Sequence, residues 1–109
     1  MTETDPEEIK QWLDQDLAIL IDVREHQELA EFSIPGALHN PMSNFNVDAI
    51  PKNTDKKLIF FCAHGMRSRQ VGEFLLQEKY VSVAYNMTGG VAAWVEAGFS
   101  DQSWFDEYW

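Results

Sequence analysis

The order of apolar and polar positions along the chain predicts alternating strands and helices. Two runs, Leu17–Val23 and Leu58–Phe61, are almost continuously apolar, which is typical of strands buried on both faces of a parallel sheet. Apolar residues recur at helical spacing elsewhere, as in Val71, Phe74 and Leu75. This alternation predicts an α/β fold with a central, mostly parallel sheet of about five strands and helices on both faces.

Local signals place the remaining elements. Asp5 and Pro6 predict the start of the first helix, because Asp caps well and Pro suits the first helical position. Gly72 falls inside a predicted helix, where it costs about 1 kcal/mol relative to Ala, and close packing of that helix on the sheet would explain it. The other predicted elements are short strands over Ala37–Asn40 and Val81–Tyr85, a short helix over Glu25–Phe32, and helices over Arg67–Lys79 and Gly89–Ala97.

The only cysteine, Cys62, follows the second apolar run and precedes a predicted helix. It therefore lies at a strand-to-helix turn, the place where ligands gather in α/β sheets. Gly65 can adopt φ > 0 and let backbone N–H groups converge, and Arg67 adds a fixed cation. These features lower the pKa of a thiol. An inert core cysteine is the alternative, but the Gly, Arg and Ser that follow favour a reactive thiolate.

Cys62 is accordingly the predicted catalytic nucleophile, and the loop after it is predicted to bind substrate through Ala63, His64, Gly65, Met66, Arg67 and Ser68. We expect Ser68 to cap the helix rather than to donate a hydrogen bond to the thiolate. His64 either binds a substrate or acts as a proton source, or it simply faces solvent. Asp22 and Arg24 end the first apolar run and are expected to support the rim of the site, chiefly by fixing loop geometry.

Four short motifs, taken together, resemble those of the rhodanese-type sulfurtransferases. They are Asp22-Val23-Arg24-Glu25, Ile34-Pro35-Gly36-Ala37, Cys62-x-x-Gly65-x-Arg67-Ser68 and Gly89-Gly90-Val91-Ala92-Ala93-Trp94. The resemblance implies a rhodanese-like domain over residues 1–99. It also implies transfer of a sulfane sulfur from a donor such as thiosulfate to cyanide, a thiol or a partner protein, through a persulfide on Cys62. Two positions depart from the family pattern, since Ala63 and Ser33 stand where a basic residue and a histidine are frequent.

Two other functions remain open at this point. The fold also resembles that of dual-specificity phosphatases and arsenate reductases, whose loops have one more residue between cysteine and arginine. Four residues separate Cys62 from Arg67 here, and this shorter loop favours a single sulfur atom over a phosphoryl group. The second alternative is a sulfur-carrying or regulatory module that takes sulfur from a partner protein without efficient turnover.

Composition narrows the possible partners. The 109 residues include 8 basic and 18 acidic side chains, a net charge of −10, which argues against a nucleic-acid partner. No apolar run approaches the roughly 20 residues that span a bilayer. One cysteine and three scattered histidines indicate neither a disulfide nor a metal site, and no cofactor is expected. We expect a cytoplasmic monomer or homodimer.

The acidic, aromatic tail at residues 100–109 is predicted to lie outside the domain. It contains Trp104, Phe105, Tyr108 and Trp109 among acidic residues. Such a tail either folds over the domain's own apolar surface or serves as a docking or dimer-forming arm, because Trp and Tyr are favoured interface anchors.

Overall fold

Strands and helices alternate along residues 1–99, the part of the chain that the computed structural model describes. The strands are β1 (Thr2–Thr4), β2 (Ala18–Asp22), β3 (Leu38–His39), β4 (Lys57–Phe61) and β5 (Tyr85–Met87). The helices are α1 (Pro6–Asp14), α2 (Met66–Gln77) and α3 (Gly90–Glu96), with 3₁₀ turns at His26–Ala30, Met42–Asn44 and Val47–Ala49. The sheet has the order β1-β5-β4-β2-β3, and every pair is parallel. The predicted α/β architecture is confirmed.

Successive residues of β4 divide the core into two layers. Phe61 packs on one face with Ile9 of α1 and Trp94 of α3, whereas Phe60 packs on the other face with Leu75 of α2. Both phenylalanine side chains are completely buried. Because neighbouring side chains in a strand point to opposite faces, helices on both faces bury the whole apolar run.

The predicted start of α1 is also confirmed. The Asp5 carboxylate accepts the backbone N–H of Glu8 at 2.9 Å, and Pro6 occupies the first helical turn. Pro lacks an N–H and its φ already suits a helix, so this position costs the helix no hydrogen bond.

The side of the sheet that contains the edge strand β1 and its neighbour β5 differs from the sequence-based expectation. The strand predicted over Val81–Tyr85 instead spans Tyr85–Met87, and it pairs with both β4 and β1. The three residues of β1 carry no apolar pattern, and their pairing with β5 alone defines them as a strand. Side-chain pattern is a weak guide to such short strands, because they depend on partners that are distant in sequence.

Two smaller expectations were wrong. Residues predicted to form a helix over Glu25–Phe32 form only the short 3₁₀ turn His26–Ala30. Gly72 does not serve packing of α2 on the sheet, because a Cβ at this position would overlap the side chain of Met1. The glycine therefore makes room for the amino-terminal residue beside α2.

The predicted tail, residues 100–109, lies outside the described residues.

A buried ion pair holds the segment that follows β2. Arg24 Nη2 donates to Asp22 Oδ2 and to the carbonyl of Phe32, both at 2.8 Å, and the two charged residues are only 3% and 2% exposed. Arg24 Nη1 also reaches the carbonyl of Glu28 at 3.5 Å. These contacts tie the end of β2 to the 3₁₀ turn, which is the geometric role expected of this pair.

We predict that Asp22→Asn lowers the free energy of unfolding by about 3–5 kcal/mol, because it leaves the Arg24 charge buried without a counterion. Asp14→Asn is the matched control, since Asp14 pairs with Lys10 at 2.6 Å in an exposed position, and we expect it to cost about 1 kcal/mol or less. Denaturant titration of both variants measures the difference. Equal losses in the two variants would contradict a structural role for the buried pair.

Candidate active site

Strand β4 delivers Cys62 to the carboxyl edge of the sheet. Phe61 is the last residue of the strand, and Cys62 follows it at 1% exposure. The chain then turns through Gly65, whose φ of +102° is the left-handed conformation that only glycine adopts readily. Helix α2 begins at the next residue, so the thiol lies against the amino terminus of that helix.

Hydrogen-bond donors converge on the sulfur of Cys62. The backbone N–H of Gly65 lies 3.1 Å from Sγ, and the backbone N–H and hydroxyl of Ser68 each lie 3.4 Å away. Burial raises the pKa of the thiol, but the hydroxyl of Ser68 and the backbone N–H groups of Ser68, Gly65 and His64 outweigh that effect. The net result is a Cys62 pKa below its ordinary value, so the thiolate is more populated than in a free thiol at the same pH.

The carbonyl groups of the same loop point to the start of α3. The N–H of Val91 donates to the carbonyl of Cys62 at 2.8 Å, and that of Ala92 donates to the carbonyl of Ala63 at 3.1 Å. A Cβ at Gly90 would come within 2.5 Å of the Cys62 carbonyl oxygen, so glycine permits this approach. Because C=O and N–H point in opposite directions in a trans peptide, these bonds turn the N–H groups of the loop away from α3.

Ser68 does not cap the helix, so the capping prediction was wrong. Gly65 occupies the N-cap position, and Ser68 lies inside the first turn of α2 and is completely buried. Its hydroxyl lies 3.4 Å from Cys62 Sγ and 2.6 Å from Oδ1 of Asn86. The structure therefore places the hydroxyl at the sulfur, the arrangement that the sequence had ranked second.

Arg67 is held by a carboxylate outside the loop. Its Nη1 and Nη2 donate to the two oxygens of Glu28 at 2.7 and 2.9 Å. Glu28 also accepts the backbone N–H of Glu25 at 3.0 Å, which fixes the carboxylate. The hydrogen bond from Arg67 lowers the pKa of Glu28 to about 2, and Glu28 together with the charge of Cys62 raises the pKa of Arg67. Arg67 thus ties the loop to the 3₁₀ turn while its charge acts on the sulfur.

The other predicted loop residues form the rim. His64 and Met66 are exposed, Met66 by 73%, and Ala63 is half-buried. Two cavities of about 440 and 490 Å³ lie at the opposite, amino ends of the strands, and Cys62 does not line either of them. Neither of these cavities therefore adjoins the sulfur.

Two residues of this site escaped sequence reasoning. The sequence offers only two local signals that Glu28 belongs to the site, namely its position in an acidic turn and its spacing from Arg24. Asn86 is a completely buried amide in β5, and it was hidden because that strand had been placed too early in the chain. An asparagine inside a correctly placed central strand would have been a signal, since buried polar groups need partners.

Two negative findings apply to the described part of the chain. Within residues 1–99, no three His, Cys, Asp or Glu side chains form a group that could hold a metal ion. No helix in the same range has the length and apolar character needed to cross a membrane.

The domain is a parallel α/β fold with its single cysteine at a strand-to-helix turn, where hydrogen-bond donors surround the sulfur. This arrangement is typical of proteins whose chemistry depends on a cysteine thiolate. The model of the rhodanese-like domain matches residues 5–97, and the chain belongs to this family. A sulfurtransferase of Allochromatium vinosum is 36% identical over 101 residues, covering 90% of this chain and 92% of its own. The thiosulfate sulfurtransferase GlpE of Actinobacillus succinogenes is 30% identical over 97 residues, covering 89% of this chain and 86% of its own.

Solved structures agree with this assignment. The human single-domain sulfurtransferase TSTD1 superimposes with a TM-score of 0.73 at 30% identity, covering 88% of this chain and 96% of its own. The predicted family and fold are thus confirmed, and these relatives support a rhodanese-type sulfurtransferase.

We predict that Cys62 reacts with iodoacetamide at a lower pH than free cysteine does, because the donors around Sγ stabilise the thiolate. Ser68→Ala removes the hydroxyl and should raise the alkylation midpoint. Intact mass measures the reaction without ambiguity, since the chain has one cysteine. A wild-type midpoint equal to that of free cysteine would refute the activation of the thiol.

A second prediction concerns acid. Glu28 has a pKa of about 2 in the folded protein against an ordinary value of 4.5, so its carboxylate stabilises the fold above pH 4.5. That contribution is lost as the pH falls toward 2. The loss of unfolding free energy in Glu28→Gln should therefore be largest at neutral pH and shrink progressively in acid.

Urea titrations across this pH range measure the loss. Glu73→Gln, at an exposed position of α2, controls for the removal of one surface carboxylate. A loss in Glu28→Gln that does not change with pH would show that the ion pair with Arg67 contributes no stability.

Proposed function

We propose that this protein transfers a sulfane sulfur from thiosulfate to a thiophilic acceptor, with Cys62 as the nucleophile. The observation that carries the proposal is the convergence of three donor groups on one buried sulfur, at 3.1 to 3.4 Å. The two backbone N–H donors are fixed before reaction, so they stabilise negative charge without reorganising during it. The relative named thiosulfate sulfurtransferase GlpE supports the choice of donor.

The first step loads the sulfur. The Cys62 thiolate attacks the outer sulfur of thiosulfate, a sulfur–sulfur bond forms to Sγ, and the bond inside thiosulfate breaks with its electron pair going to sulfite. A monoanionic thiolate and a dianionic donor thus give a monoanionic persulfide and dianionic sulfite. The charge of the persulfide lies on the outer sulfur, close to the N–H groups at the start of α2, where anions are stabilised.

The second step unloads it. Cyanide attacks the outer sulfur, giving thiocyanate and regenerating the thiolate. A thiolate acceptor of a small molecule or of a partner protein reacts in the same way and leaves as its own persulfide. The exposed rim at His64 and Met66 is the side from which an acceptor approaches.

Arg67 supports this chemistry from one side. Its guanidinium is paired with Glu28 at 2.7 Å, which partly neutralises its charge. The same pair holds the guanidinium in a fixed position, so it does not move with a bound sulfur donor. The pair keeps a fixed cation near the sulfur, which helps an anionic donor to approach in a protein with net charge −10. The loop of four residues between Cys62 and Arg67 favours one sulfur atom over a phosphoryl group.

Mass spectrometry tests the proposal. After incubation with thiosulfate, the intact protein should gain the mass of one sulfur atom, and cyanide should remove it. Cys62→Ser is nearly isosteric, should fold normally, and should show neither the adduct nor thiocyanate formation. Glu73→Gln is the control at an exposed position of α2 outside the loop, and we expect it to keep both reactions.

Other outcomes separate the alternatives. Turnover of a phosphate ester with no sulfur adduct would favour a phosphatase and overturn the proposal. A sulfur adduct that appears only with a persulfidated donor protein would overturn thiosulfate as the donor and favour the sulfur-carrying module.

A further inference from the structure

Asn86 is a buried amide whose role the sulfur chemistry described so far does not explain. It lies in β5 and is completely buried, with Phe60 of β4 as its neighbour on one side and Glu3 of β1 on the other. A buried amide needs a partner for each of its polar atoms. The partners of Asn86 therefore indicate what the residue does.

The hydrogen bonds of Asn86 fix the orientation of its amide. Its Nδ2 donates to both carboxylate oxygens of Glu3 at 3.1 Å and to the carbonyl of Gly65 at 3.0 Å. Its Oδ1 accepts the hydroxyl of Ser68 at 2.6 Å. A reversed amide would place Oδ1 against two acceptors, so this orientation is the one that the surroundings permit.

Glu3 is itself held in place. Arg69 Nε donates to its carboxylate at 3.0 Å, and the hydroxyl of Thr88 donates to it at the same distance. The orientation of Asn86, and with it the position of Oδ1 beside Ser68, is thus set from the edge strand β1.

The hydroxyl of Ser68 has one hydrogen and two acceptors, Oδ1 of Asn86 and Sγ of Cys62. When Cys62 is a thiol, its S–H can donate to Ser68 and the hydroxyl can donate to Asn86, so that each group is paired. When Cys62 is a thiolate, donation to the anion is the stronger hydrogen bond. That choice leaves Oδ1 of Asn86 buried without a donor, which costs free energy. Asn86 and the thiolate therefore compete for one hydrogen.

We propose that Asn86, oriented by Glu3, is a positioning residue that directs the Ser68 hydroxyl according to the charge on Cys62 Sγ. The hydroxyl points to Asn86 when Sγ is neutral and to Sγ when Sγ is ionised. The consequence for turnover rests on the proposed function. In the persulfide the charge has moved to the outer sulfur, Sγ is neutral, and the hydroxyl returns to Asn86. The competition thus disfavours the empty thiolate relative to the loaded persulfide.

Several charged or titratable groups surround this site and are left unchanged by the substitutions below. They are Arg67 and Arg69 of α2, Glu28 of the 3₁₀ turn, Glu3 of β1, His64 of the loop, and the paired Asp22 and Arg24 beside β2. A change in the titration of Cys62 then reports the hydrogen bond and not a change of charge.

The test is a double-mutant cycle read by iodoacetamide alkylation of Cys62 against pH. Asn86→Leu keeps a similar side-chain size and frees the hydroxyl of Ser68 for the thiolate. Asn86→Leu should lower the pH at the midpoint of alkylation by about 0.5, which corresponds to one modest hydrogen bond. In the Ser68→Ala background the same substitution should leave the midpoint unchanged. Thr54→Val, which removes a hydroxyl that accepts the backbone N–H of Lys56 at 3.1 Å near the amino end of β4, is the control and should match the wild type.

The opposite result has a clear meaning. If Asn86 only braces the carbonyl of Gly65, then Asn86→Leu loosens the loop and raises the midpoint in both backgrounds, which would overturn the proposal. Because alkylation uses no sulfur donor, this outcome is independent of whether thiosulfate loads Cys62.

A spectroscopic measurement decides the matter if Asn86→Leu does not fold. In the wild-type protein, the ¹³C resonance of the Asn86 side-chain carbonyl should shift with the ionisation of Cys62, because the hydroxyl leaves Oδ1 at that point. In Ser68→Ala this shift should be lost. An equal shift in both proteins would show a through-space effect of charge alone and would overturn the proposal.

Discussion

A buried anion must be surrounded by donors, and this constraint on the sulfur of Cys62 organises the site. The thiol is 1% exposed, and an ionised group at such a position costs free energy unless hydrogen bonds replace water. The left-handed turn at Gly65 brings backbone N–H groups and the hydroxyl of Ser68 to one point. The other features of the site aim these donors or keep them in place.

Three separate parts of the chain hold the loop in that arrangement. The start of α3 binds the carbonyls of Cys62 and Ala63, which turns the adjoining N–H groups away from that helix. Glu28 holds Arg67, and the buried pair behind β2 secures the turn that carries Glu28. On the far side, the edge strand fixes Asn86. Three of the four short motifs that resemble the family thus hold the loop around a single sulfur atom, whereas Ile34 and Ala37 of the fourth pack in the core.

Much of the sheet could be predicted because its central strands are continuously apolar. Runs such as Leu58–Phe61 are recognisable locally, and so is the capped start of α1 at Asp5. The edge strand and β5 were not recognisable, since pairing between distant segments defines them. The hydroxyl of Ser68 was misassigned because Gly65 takes the capping position, and the partner of Arg67 lies 39 residues away in the sequence. Local spacing predicts which residues reach a site, whereas distant partners decide what each one does there.

The most direct measurement of the central claim is the ultraviolet absorbance of the thiolate at neutral pH, before and after unfolding in the same buffer. Cys62→Ser provides the blank, and the single cysteine makes the difference specific. If the folded loop stabilises the anion, the native protein shows a stronger thiolate band than the urea-unfolded protein in the same buffer, because unfolding returns the thiol to its ordinary pKa. A native protein without this band, whose thiolate forms only at the pH of free cysteine, would contradict the account.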